Sequence, residues 1–244
     1  MRNVEKWLVG AAAAVALAGC HRQVVVGSSP ADVAAMNVLT PAEQADGWTL
    51  LFNGRDLSQW RGYRMDSLPT AWGVRDGLVD KVGEAEDIIT RRDYANFDLR
   101  WDWKIAPGGN AGVFYRGTEE YDHIYWSGPE YQLLDDAGHP DGKSRMTAAG
   151  SDYAVYPSPA GFLHPAGTWN SSEIIVNGHH VEHWLNGHRM VSYDLQSPDW
   201  VARVKASKFS AWPHYGLAAS GHIGLQGDHP GELQLRNLRI KVLP

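Results

Sequence analysis

Between Glu173 and Asp194 the chain reads Glu-Ile-Ile-Val-Asn-Gly-His-His-Val-Glu-His-Trp-Leu-Asn-Gly-His-Arg-Met-Val-Ser-Tyr-Asp, three short apolar-rich runs divided by two Asn-Gly pairs. Asn and Gly tolerate the positive φ angles that two-residue hairpin turns need, so this spacing predicts two tight primed turns and a three-stranded antiparallel meander. Pairing across the turns puts Ile174, Val181, His183 and Met190 on one face and Ile175, His180, Glu182 and Trp184 on the other. A sheet with one such apolar face must bury it against another layer.

The rest of the chain after residue 45 supplies that layer. Helical periodicity is hard to find, whereas short alternating runs bounded by Gly, Pro, Asn and Asp recur to the end. Strands are expected at Leu99–Ile105, Gly112–Arg116, Glu130–Leu134, Ile223–Gln226 and Glu232–Ile240. Their spacing favours an all-β sandwich of antiparallel sheets over a parallel sheet. Tyr153–Gly167 carries three prolines and reads as a long ordered loop of the kind that rims a binding face. Residues 45–244 thus form one domain.

The first twenty residues stand apart from the fold. Arg2 and Lys6 precede an apolar run, Trp7–Leu17, of eleven residues, well short of the roughly 20 that span a bilayer. It reads as an export signal over 1–19. Leu17-Ala18-Gly19-Cys20 looks like a lipobox, which makes Cys20 the acylated residue that tethers the protein to a membrane of the cell envelope, facing the periplasm or in the outer membrane. Residues 20–44 read as the tether. Cys20 is the only cysteine, so the folded part has no thiol for disulfides, catalysis or metal binding. The formal net charge of -6 leaves no basic run for nucleic acid.

Two segments carry candidate chemistry. In a strand, Glu130 and Gln132 project side by side from one face while Tyr131, Leu133 and Asp135 take the other. Alternation in the preceding strand places Gly112, Phe114 and Arg116 together, so Arg116 is expected to approach the carboxylate and lower its pKa. The second segment is Gly221–Gly231. Ile223 and Leu225 should face the core, leaving Gln226 and then a Gly-rich turn that presents Asp228 and His229, an imidazole suited to proton transfer near neutrality. His179, His180, His183 and His188 cluster on the meander, but alternation splits them between faces and argues against a metal. No Gly-x-Ser-x-Gly elbow or phosphate-binding loop is present.

These segments, with Trp48–Trp60, Asn110-Ala-Gly-Val, Trp169-Asn170, Ser207-Lys-Phe209 and Arg236-Asn237, resemble in that order the 3-keto-disaccharide hydrolase family over about residues 45–244. The resemblance implies a concanavalin A-like jelly-roll sandwich with a carbohydrate on one sheet face, and hydrolysis of glycosides oxidised at C3. Matching positions imply Glu130, Gln132 and His229 as the central site, with Arg116, Lys208, Gln226 and Tyr131 as substrate contacts. The chain departs from the family pattern in Asn110-Ala-Gly for Asn-Ser-Gly, in Gly150-Ser-Asp-Tyr153 for Gly-Ala-Leu-Tyr, and in an extra glycine within Gln226-Gly-Asp228. No nucleotide cofactor is implied, so a separate sugar 3-dehydrogenase would make the ketone. A structural or catalytic divalent metal is compatible with the fold, though no ligand loop announces one.

A C3 ketone acidifies the C2 proton, so the aglycone can leave by elimination and water can add to the enone. That route needs a base near C2, a clamp on the enolate oxygen and an acid for the leaving oxygen. Two other readings compete. Glu130-x-Gln132-x-x-Asp135 keeps the spacing of a retaining-glucanase motif, which requires both carboxyls about 5 to 5.5 Å apart and therefore a bulge between them. The same face could also serve a glycan-binding module without turnover.

Overall fold

The computed structural model describes residues 36–244; Cys20, the expected export signal and the expected tether up to residue 35 lie outside the described residues. Among the described residues no helix is long and apolar enough to cross a membrane. The folded unit begins before residue 45. Met36 is buried, and Asn37 exchanges backbone-to-side-chain hydrogen bonds with Asn237 at 2.8 and 2.7 Å. A one-turn helix, α1 (Pro41–Ala45), follows, closed by a Thr40–Glu43 capping box.

Among the described residues thirteen strands make two antiparallel sheets: β1 Trp48–Leu50, β2 Trp60–Gly62, β3 Trp72–Arg75, β4 Leu78–Lys81, β5 Ile88–Thr90, β6 Phe97–Ile105, β7 Asn110–Gly117, β8 Glu130–Leu134, β9 Asn170–Asn177, β10 His180–Leu185, β11 His188–Asp194, β12 His222–Leu225 and β13 Leu233–Val242. The larger sheet runs β11-β10-β9-β6-β13-β4-β3, with β1 also paired to β13; the smaller runs β2-β5-β12-β7-β8. This is the jelly-roll sandwich expected. The core lies between the sheets. In β6, buried Phe97, Leu99, Trp101, Trp103 and Ile105 alternate with more exposed polar residues, the period-2 pattern of a sheet wet on one side. In β8 all five residues are buried, so the smaller sheet is covered on both faces.

The meander forms with one shift. Asn186 and Gly187 both take positive φ (49° and 80°), as a type I′ turn requires. At the first turn Asn177 instead pairs with His180, leaving Gly178 (φ 62°) and His179 as the loop. A bulge at Met190, opposite the step from His183 to Trp184, then lets Met190 and Val191 both turn inward.

One helix escaped the periodicity reading. α2 (Pro198–Ala206) is capped by Ser197, whose side chain accepts from Trp200 N, and has proline in its first turn. Trp200 is its only buried residue, stacked on Tyr215, so it has no apolar stripe to detect. It leads into a 3₁₀ turn, Lys208–Ala211, that reaches back over the smaller sheet.

Candidate active site

The outer face of the smaller sheet, away from the core, holds a cavity of about 240 Å³. Glu130 and Gln132 rise into it from β8, Asn110 from β7, and Gln226 from the end of β12. The Lys208 turn, the β7–β8 connection and the loops after β8 and β12 close it, and the last three supply Tyr125, then Tyr153 and Asp141, then Asp228 and His229. The loop at Gly150–Tyr153 adds to the free edge of β8: Gln132 N donates to Ser151 O, Gly150 N to Gln132 O, and Tyr153 N to Glu130 O. Glu130 is therefore only 4 % exposed although it sits on an outer face.

Burial pushes the Glu130 carboxyl up to about 8; the Lys208 ammonium pulls it down, and Asp228, Asp87 and Asp152 push it further up. The Gln132 amide lies 3.1 Å from Glu130 Oε1. With its NH₂ turned to Glu130 it donates to the carboxylate and to Ala111 O, the orientation that suits the ionised acid. In the opposite sense Nε2 donates to Asn110 Oδ1 and the amide oxygen can accept from a protonated Glu130. Gln132 can thus serve either charge state. Gln226 leaves its buried Oε1 without a partner.

Lys208 Nζ lies 4.2 Å from the Tyr153 ring centroid and 6.0 Å from that of Tyr125, a cation held over aromatic faces rather than in an ion pair. His229 is partly exposed at the mouth; its Nε2 is 3.7 Å from Asp228 Oδ1, beyond hydrogen-bond length. The imidazole is therefore not tied by that carboxylate.

Two expected contacts lie elsewhere. Arg116 has φ 50°, and three residues of β7 oppose two of β12 at that point, so the strand's alternation breaks there. Its guanidinium donates instead to Ala95 O (2.9 Å), Gly178 O (2.8 Å) and Asn96 Oδ1 (3.3 Å). Tyr131 faces the core between the sheets, bonded to Ser172 Oγ at 2.8 Å and to Trp184 O at 3.0 Å. Asp135 is also outside the cavity. It accepts from Gly108 N and Ala137 N and so fastens the turns beside β8. Tyr125, Tyr153 and Asp141 were not legible as site residues, because they come from two 3₁₀ turns and a loop that carry no period.

On the meander, His183 is fully buried, 3.0 Å from Tyr115 Oη, and burial lowers its pKa to about 3. His180 pairs with Asp194 on the outside. Among the described residues no group of three or more His, Cys, Asp or Glu side chains is arranged to hold a metal. A second depression, on the outer face of the larger sheet, is lined by Arg100, Asp102, Glu173 and Trp184. There Arg100 is already paired with Asp98 and Glu173, each at 2.8 Å.

Residues 47–241 match the family described as the 3-keto-alpha-glucoside-1,2-lyase-like domain. A 3-keto-disaccharide hydrolase from Bacteroides thetaiotaomicron is 34 % identical over 242 residues, covering 86 % of this chain and 83 % of that protein. The crystal structure of a provisionally named glycosyl hydrolase from Parabacteroides distasonis superposes with a TM-score of 0.81 at 37 % identity, over 86 % of this chain and all of the other. A second from the same organism gives 0.64 at 28 % identity, over 80 % of this chain and 99 % of the other. The chain belongs to the 3-keto-alpha-glucoside-1,2-lyase-like family, and its function is that of a glycoside hydrolase-like enzyme.

Proposed function

We propose that the substrate is a 3-keto-glucoside, cleaved by elimination across C1–C2 followed by addition of water. The observation that carries this reading is a single buried carboxyl, Glu130, held largely protonated near neutrality in the same cavity as the His229 imidazole. The two groups differ in burial, which suits them to opposite duties in proton transfer. His229 takes the C2 proton, and the C–H electron pair becomes the C2–C3 enolate. Lys208 and Gln132 steady the negative charge on O3, a task for which Arg116, committed to Ala95, Asn96 and Gly178, is not available. Glu130 gives its proton to the glycosidic oxygen as the C1–O bond breaks. Water then adds to C1 of the enone, and a proton returns to C2, which restores both side chains.

A retaining mechanism through Glu130 and Asp135 is disfavoured, because Asp135 is committed to the backbone of Gly108 and Ala137. The same reading has a separate dehydrogenase oxidise C3, and a lipid on Cys20 hold the enzyme in the cell envelope.

The test is turnover of 3-keto-glucosides and of their unoxidised parents in D₂O. Cleavage of the keto substrates alone, with deuterium at C2 of the released sugar, is the expected result. Cleavage of the parents, or products without deuterium, would overturn it.

A further inference from the structure

The loop from Gln226 to Glu232 joins β12 of the smaller sheet to β13 of the larger one, so the segment carrying His229 bridges the two layers. It is anchored on both sides. From the smaller sheet, Asp87, just before β5, accepts from Gly227 N at 2.8 Å, and Ala85 N donates to Gly227 O at 2.9 Å. From the larger sheet comes Lys81, the last residue of β4, paired with Leu233 at the start of β13. The residue is 1 % exposed, and its ammonium donates to His229 O at 2.6 Å, Gly83 O at 2.8 Å and Gly227 O at 3.4 Å.

A buried ammonium is costly unless its three N–H groups are all satisfied. Here every acceptor is a backbone carbonyl, and two of the three belong to the His229 loop. Hydrophobic packing at this strand end would not need a lysine; fixing carbonyls in space does. Gly227 completes the arrangement, since a Cβ there would come within 2.6 Å of Glu86 O and 2.8 Å of Ala85 O.

We propose that Lys81 is a positioning residue: by holding the His229 and Gly227 carbonyls it sets where the His229 imidazole stands over the cavity. The proposal rests on the catalytic role given to His229 above.

A double-mutant cycle on a 3-keto-glucoside separates the two ideas. Lys81→Met is expected to lower kcat roughly 10- to 100-fold, the cost of a displaced catalytic group, with KM held within about threefold. In a His229→Ala background the same change should cost less than about twofold, because the group it positions is gone. Equal losses in both backgrounds, or wild-type kcat in Lys81→Met, would overturn the proposal. Undiminished turnover by His229→Ala alone would instead overturn the role of His229. Gly227→Ala displaces the loop without touching a buried charge and is carried through the same cycle. It decides the matter if Lys81→Met does not fold: a kcat loss that disappears with His229→Ala supports the proposal, and a loss that persists overturns it.

Discussion

The Glu130 carboxyl lies directly over the Cα of Gly112, at a spot where a Cβ would come within 2.8 Å of Glu130 Cδ and closer still to Oε1. Gly112 faces Gln132 across the β7–β8 ladder, so the missing side chain is the space in which Glu130 folds over.

Gly112→Ala should therefore push the carboxyl aside while leaving the sheet paired. A drop of about 100-fold in kcat/KM is expected, the usual cost of misplacing a reacting group by about an ångström. Thermal unfolding should stay cooperative. Activity within a fewfold of wild type would show that Glu130 has no fixed post in the reaction.

The raised pKa of Glu130 makes a prediction about pH. If the protonated form works, kcat/KM holds steady at lower pH with respect to this group and falls as pH rises through about 8. Glu130→Gln should abolish that limb along with most of the turnover. Lys208 is the largest influence after burial and pulls this pKa down, so Lys208→Met should move the limb to higher pH. A limb unmoved by both changes would belong to another group.

The sequence makes β8 legible to the residue, because Glu130–Leu134 is bracketed by Gly128-Pro129 and Asp135-Asp136. Alternation on that short strand correctly separates Glu130 and Gln132 from Tyr131. The same rule fails at Arg116 for a physical reason. All eight residues of β7 are buried, so the extra residue of the bulge leaves no mark in the apolar pattern. Lys81 is hidden differently. It closes a four-residue strand buried throughout, and nothing local shows that a loop more than 140 residues later supplies two of its three acceptors.

Arg116 is accordingly expected to matter for stability. Its guanidinium joins Ala95, Asn96 and the Gly178 turn, tying the end of β7 to the meander. Arg116→Met should cost about 2 kcal/mol in urea unfolding, typical of a lost charged hydrogen bond, with kcat and KM within about twofold. A kinetic defect at unchanged stability would return Arg116 to the substrate.

Asp152 gives the clearest linkage test, because it is fully buried beside the active-site strand and neither carboxyl oxygen makes a hydrogen bond of good geometry. Burial pushes its pKa to about 8, while the neighbouring Tyr193 hydroxyl and the Glu130 backbone N–H pull it the other way. Between about 3.8, the value for an exposed aspartate, and about 8, the native state holds a proton that the unfolded chain has released. Stability therefore falls as pH rises across that window, by up to about 1.4 kcal/mol per unit. An amide cannot ionise, so Asp152→Asn removes this slope. The variant's stability relative to wild type should improve steadily between about pH 4.5 and about pH 7.5 in urea unfolding, whatever fixed cost the amide carries. Asp87, raised in the same direction, contributes equally to both proteins and drops out of the difference; Glu130 and Asp152 are both largely protonated across this window, so the Asp152 charge that helps raise Glu130 enters the difference only toward pH 8. A gap that stays constant with pH would mean that Asp152 is ionised in the native protein, with its charge met inside the Tyr115–Tyr193 cluster.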